Sequence, residues 1–141
     1  MEEIPDPEIP VLSITDLGIV RDIKMDVEKI EIIITPTYSG CPAMDMIQMN
    51  IRMSLLCKGY QNIKITTVLS PAWTTDWMSE EARQKLKNYG IAAPQNRTAE
   101  VKCPLCNSLD IKLISQFGST ACKALYQCNN CKEPFDYFKC H

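Results

Sequence analysis

Two Cys-x-x-C pairs, Cys103-Pro104-Leu105-Cys106 and Cys128-Asn129-Asn130-Cys131, stand 21 residues apart near the end of the 141-residue chain. Each pair brings two sulfurs to one point because the chain turns sharply between them. Two such turns complete a tetrahedron around a metal, with sulfur–metal distances of about 2.3 Å. Between them, Asp110 to Phe117 and Ala121 to Gln127 can form strands around Gly118, and Phe135 to Phe138 can add a third. A unit of about 40 residues buries too little apolar surface to fold alone, so the metal is expected to supply much of its stability. The spacing predicts a β zinc ribbon over residues 99–141, with structural zinc on Cys103, Cys106, Cys128 and Cys131. Iron or an iron-sulfur cluster stays open, because four thiolates serve those as well.

Eight cysteines, in a chain whose start Met1-Glu2-Glu3 carries the wrong charge for a signal peptide, point to thiolate chemistry in a reducing compartment. The cytoplasm is the expected location, and no apolar run is long enough for a membrane span. Residues 1–95 carry 13 acidic and 9 basic side chains, and residues 96–141 carry 4 and 6. That balance offers no phosphate-tracking face, so nucleic acid is not an expected partner.

Upstream of the cysteine pairs, Ile19 to Met25 and Lys29 to Thr35 are β-branched runs split by Asp26-Val27-Glu28, the pattern of a hairpin. Met44, Ile47, Ile51 and Leu55 recur at helical spacing from Pro42 to Lys58, and Gly59 closes the run. Met46, Met49, Met53 and Leu56 add a second apolar face. They are expected to fill core gaps, as methionine commonly does, with coverage by another helix or a subunit. Cys57 reads as core. Ile63 to Leu69 gives a third strand and Ser79 to Tyr89 a second helix, ended by Gly90 and Pro94. The expected class is α/β, a small three-stranded α/β sandwich over residues 1–93 followed by the ribbon. Trp73 and Trp77 share one loop; one in the core and one on the surface is the simple reading, a partner-docking loop the sharper one.

Cys41 lies in Thr35-Pro36-Thr37-Tyr38-Ser39-Gly40-Cys41-Pro42, at the junction of strand and helix. Pro42 fits the first helical position, placing the thiol where free N–H groups and the helix dipole favour a thiolate. With Thr35, Thr37 and Ser39 as hydroxyl donors nearby, a lowered pKa and a reactive or metal-binding sulfur are expected. Cys122, Cys140 and His141 exceed what a closed ribbon requires; they are either bystanders or a second metal site completed by one more ligand. A thiol enzyme built on Cys41 would lack a base, since the single histidine is His141.

Asp6-Pro7-Glu8-Ile9-Pro10, Ile14-Thr15-Asp16-Leu17-Gly18-Ile19-Val20, Thr35-Pro36-Thr37 and Gly40-Cys41-Pro42 together resemble the SufT-like family of iron-sulfur assembly factors over residues 1 to about 90. The loop Ser70-Pro71-Ala72-Trp73-Thr74-Thr75-Asp76-Trp77, followed by Ala121-Cys122-Lys123-Ala124-Leu125-Tyr126 and Phe135-Asp136-Tyr137-Phe138-Lys139-Cys140-His141, extends the resemblance. In that combination the chain resembles PaaD-like accessory proteins of the bacterial phenylacetyl-CoA epoxidase. The resemblance implies a non-enzymatic part in phenylacetate degradation, the assembly or insertion of an iron or iron-sulfur centre. It implies Asp16, Thr35 and Cys41 as a functional pocket and the epoxidase subunits, above all the iron-sulfur reductase, as partners. A homodimer is a further possibility. A structural subunit or protein-docking ribbon without metal transfer is the competing reading.

Overall fold

The structure, a computed structural model, describes residues 4–93 and 100–139. They form two compact units, one ending at Ser79 and one beginning at Glu80.

In the first unit, β1 (Val20–Met25) and β2 (Ile30–Ile34) pair antiparallel, with Met25 opposite Ile30. The turn closes through Asp26 N–H donating to the Lys29 carbonyl at 2.8 Å. A tight turn suffices because the strands run oppositely, whereas β3 (Ile63–Thr67) lies parallel to β2 and requires a crossover. That crossover is α1 (Ala43–Cys57), which turns Ala43, Met44, Ile47, Ile51 and Leu55 inward. Ile30, Ile32 and Ile34 alternate toward the same interior, as the two-residue strand period dictates. The sheet order is β1-β2-β3, so β2 is central, as its nearly continuous apolar sequence predicts.

Much of this core comes from outside the regular elements. Ile4, Ile9, Leu12, Ile14, Leu17 and Ile19 are all buried in the irregular segment before β1. Its backbone is tied by Asp6 N–H to the Leu12 carbonyl (2.8 Å) and Ile14 N–H to the Ile4 carbonyl (3.0 Å). The loop after β3 closes the unit: Trp73 is buried and its indole N–H donates to the Leu17 carbonyl at 2.8 Å. Trp77 is half-buried, with the Arg21 guanidinium 3.6 Å from its ring centroid. One tryptophan therefore serves the core and the other sits beneath a surface cation.

Two expectations are overturned. Met46, Met49, Met53 and Leu56 do not pack in the core but face outward, 47, 55, 56 and 44% exposed. Cys57 is exposed as well. The sheet is one layer with one helix on it, so only one side of α1 finds a partner within the unit.

In the second unit, α2 (Glu80–Asn88) leads through Gly90 into the short strand β4 (Ile91–Ala92). It is followed by β5 (Ile111–Ser115), β6 (Lys123–Cys128) and β7 (Pro134–Phe138). The sheet order is β4-β7-β6-β5. Ile91 and Ala92, which the sequence places at the end of the first domain, pair parallel with Asp136 and Tyr137. Packing thus groups α2 with the second unit, whereas the sequence suggested a division near Pro94. Tyr126 stacks on Phe135 (centroids 5.9 Å) and meets Tyr137 edge-on (5.8 Å). One buried cluster here joins Phe135 with Ala92, Cys103 and Cys128, and Tyr126 and Tyr137 pack against it. Two of its four members are cysteines of the tetrad, so candidate ligand positions take part in the packing of this unit.

Among the described residues no helix is long and apolar enough to cross a membrane.

Candidate metal centre and thiol site

The ribbon site is built from two turns of matching design. Cys103 N–H donates to the Ser108 carbonyl and Cys128 N–H to the Glu133 carbonyl, each at 3.0 Å and each five residues ahead. The residue after the second cysteine of each turn, Asn107 (φ 59°) and Lys132 (φ 67°), takes left-handed backbone. This bends the chain back into a strand. Asparagine tolerates that region through its short polar side chain, whereas lysine adopts it at a cost.

The two turns bring Cys103, Cys106, Cys128 and Cys131 together with all four sulfurs within 4.8 Å of one another. Cys103 and Cys131 Sγ are 3.7 Å apart, and Cys106 and Cys128 Sγ 3.5 Å. Four sulfurs at about 2.3 Å from a tetrahedral zinc would be separated by about 3.8 Å. The donor set therefore fits a tetrahedral ion in both chemistry and size. Cys131 N–H points at Cys128 Sγ (3.4 Å), and the Asn130 amide lies 3.7 Å from Cys106 Sγ. Such donors offset the charge of a tetrathiolate. The thiols are electrically unlike one another. The Ser108 amide, despite burial and with help from Cys128, Asn130 and Cys103, holds Cys106 at about 6. At Cys131 the Glu133 amide favours the thiolate, but burial and the neighbouring Cys128, Cys103 and Cys106 push it up to about 12.

Cys122 does not share this site. It is buried in the turn just before β6, with Thr120 Oγ1 3.0 Å from its sulfur. Cys128 lies at the far end of β6, six residues on and about 20 Å away at the rise of a strand. The other members of the expected second site, Cys140 and His141, lie outside the described residues.

In the first unit, Cys41 stands one residue before the cap of α1, which is Pro42. The Ala43 N–H and the Thr37 side chain favour its thiolate, as a helix start allows. The expected lowering of its pKa is nevertheless overturned. Burial raises the thiol first, and the Glu8 and Asp6 carboxylates raise it further, outweighing Ala43 and Thr37. Thr35 is 1% exposed, and its Oγ1 finds no hydrogen-bond partner.

Asp16 also has a local task. Its Oδ2 accepts the Ser13 N–H (3.0 Å), while its own N–H donates to Ser13 Oγ (3.0 Å). This reciprocal pair closes the turn ahead of Gly18. Asp6 and Glu8 are the carboxylates whose charge reaches Cys41. Asp6 is held in place by accepting the Glu8 and Ile9 amides on Oδ1 at 2.9 and 2.8 Å. The signal for them was the Asp6-Pro7-Glu8 run, which carried the family resemblance without being assigned a role at the thiol.

With both sites in view, comparisons with known proteins locate the chain. A protein of Escherichia coli strain K12, whose name makes it one of the subunits of 1,2-phenylacetyl-CoA epoxidase, is 51% identical over 99% of this chain and 88% of its own length. The chain belongs to the PaaD family. The family described as PaaD zinc beta ribbon domain matches residues 90–139, and the family described as iron-sulfur cluster assembly protein matches residues 1–67. An Fe-S protein maturation auxiliary factor of Porphyromonas gingivalis is 35% identical over 61% of this chain and 83% of its own. Among solved structures, a DUF59 domain from Bacillus anthracis superposes with a TM-score of 0.55 at 30% identity, covering 60% of this chain and 82% of that one. A conserved hypothetical protein from Thermotoga maritima gives 0.52 at 29% identity, covering 60% and 84%. The expected fold, an assembly-type α/β domain with a PaaD zinc ribbon, agrees with these likenesses. They support an accessory rather than a catalytic role for this PaaD-family chain.

Proposed function

We propose that this protein is a maturation factor for the phenylacetyl-CoA epoxidase system, handling iron or an iron-sulfur cluster as cargo at Cys41 in the cytoplasm. The supporting observation is the electrostatic setting of that thiol. A cysteine nucleophile is served by positive neighbours that stabilise its thiolate. Cys41 instead has Glu8 and Asp6, which disfavour a lone thiolate but attract a cation. A thiol that gives up its proton only when a cation arrives suits transient metal binding, in which uptake releases a proton and protonation promotes release. Thr35 and Thr37, both buried, supply hydroxyls on the approach from β2 to α1.

In this reading the ribbon carries structural zinc and presents the chain to its client, of which the iron-sulfur reductase is the first candidate. Leu113 and Ile114 on the edge strand β5, with Phe117 just beyond it, are exposed and provide apolar contact area. Producing the epoxidase subunits with this protein carrying Cys41→Ser tests the proposal. Iron content and cluster absorbance of the reductase are expected to fall several-fold, and loading equal to wild type would overturn the role of Cys41. The competing reading, a structural subunit without metal transfer, predicts unchanged loading and a stable stoichiometric complex through purification.

A further inference from the structure

The outer face of α1 has no role in the metal chemistry. On a helix with about 100° per residue, Met46, Met49, Met53 and Leu56 fall on one stripe, diametrically opposite Met44, Ile51 and Leu55, which pack inward. A helix apolar on two opposed sides is built to lie between two partners, and the sheet is only one of them. The four positions are spaced three, four and three residues apart, the repeat by which helices interlock.

That spacing reads the same in both directions. We propose that the stripe is the seat of a second copy of this chain, packed antiparallel across a two-fold axis. Met49 then faces Met53 of the other copy, and Met46 faces its Leu56, so each apolar side chain meets another. Residues flanking the stripe do not oppose this. Asn50 and Cys57 on one side are uncharged. On the other side, the two Asp45 carboxylates lie toward opposite ends, about 20 Å apart along the seam. Arg52 would approach its equivalent near the axis, but its Nη1 already donates to the Ile63 carbonyl at 3.2 Å, which draws the guanidinium toward β3. A seam of about 15 Å is too short to bury the roughly 800 Å² per partner of a standard stable interface, so the association is reversible. The two Cys41 thiols would sit about 30 Å apart along the axis, each a separate site.

The test is sedimentation equilibrium of the full chain with its metal bound. A monomer–dimer equilibrium with a micromolar dissociation constant is expected, and Met49→Lys should raise that constant at least tenfold. Because Met49 is exposed, the lysine should leave the far-ultraviolet spectrum unchanged; Met53→Gln provides a second, milder variant. Asn50→Cys tests the orientation, since antiparallel packing places residue 50 of both copies beside the axis, within reach of a short bis-maleimide, and parallel packing puts them on opposite sides. A covalent dimer that forms with Asn50→Cys and not with the wild type supports the arrangement. A monomer at several hundred micromolar, a dimer indifferent to both methionine variants, or no cross-link would each overturn it. Cys41→Ser should leave the dimer intact, so failure of the metal-handling reading and failure of this one are separable.

Discussion

Gly18→Ala should be among the most damaging single-methyl changes in the first unit. Gly18 has φ +67°, and a Cβ built there would lie 2.6 Å from the Trp77 carbonyl oxygen and 2.8 Å from the Trp77 Cβ. Two costs combine. Left-handed backbone costs an L-residue about 1–2 kcal/mol, and forcing a methyl against backbone that cannot swing aside costs about 1–3 kcal/mol more. The second cost arises because Trp77 lies beneath Arg21 in a loop anchored by Trp73 on the Leu17 carbonyl. Gly59→Ala is the control, since Gly59 has φ +93° but nothing within 4 Å of its added Cβ. Urea titration followed by tryptophan fluorescence reports on this unit alone, because the only two tryptophans, Trp73 and Trp77, both belong to it. Gly18→Ala is expected to lose about 1–3 kcal/mol more than Gly59→Ala at unchanged denaturant slope. Equal losses within about 0.5 kcal/mol would show that Trp77 yields freely and would refute the close-packing argument.

Three further outcomes follow from the sites. Stripping the metal with a strong chelator, or Cys103→Ser, should collapse hydrogen-exchange protection of β5, β6 and β7 while leaving tryptophan fluorescence unchanged, because structural zinc contributes on the order of 10 kcal/mol to folding such a unit. Protection that survives chelation would mean the small core is sufficient. Glu8→Gln removes one of the charges that raise Cys41, so its thiol should ionise at lower pH; the midpoint of its alkylation-rate profile should shift down, and an unmoved or upward midpoint would contradict the assignment. Glu31 accepts from Thr66 Oγ1 at 2.6 Å and pairs with Lys64 at 3.0 Å, which lowers its pKa to about 2. A depressed carboxylate stabilises the fold above its unfolded pKa of about 4.3, and that gain is lost as pH falls toward 2. The stability difference between wild type and Glu31→Gln should therefore shrink over that window, and a constant difference would argue against it.

How far each part was readable depended on how local its cause was. The tetrad and both cysteine turns follow from spacing, since a Cys-x-x-C turn is complete within a few residues. The strands β1, β2 and β3 and the helix α1 follow from periodicity, because a one-sided core imposes a period of two or of about 3.6. The segment from Ile4 to Ile19 has no period, and its burial went unread although it supplies much of the first core. The pairing of Ile91 and Ala92 with β7 was equally hidden, since two residues cannot announce a strand whose partner lies more than forty positions away.

The sequence by itself determined the four-cysteine ribbon, the α/β class and the place of Cys41 at the junction of strand and helix, because those rest on residue identity and short-range spacing. Tertiary structure decided the sign of the Cys41 shift, the local task of Asp16 and the outward direction of the methionine stripe. A pKa depends on the burial and charges that folding gathers, and here burial with Glu8 and Asp6 outweighs the helix start. Which side of an apolar helix stays open depends on how many layers the fold supplies, and this sheet covers only one.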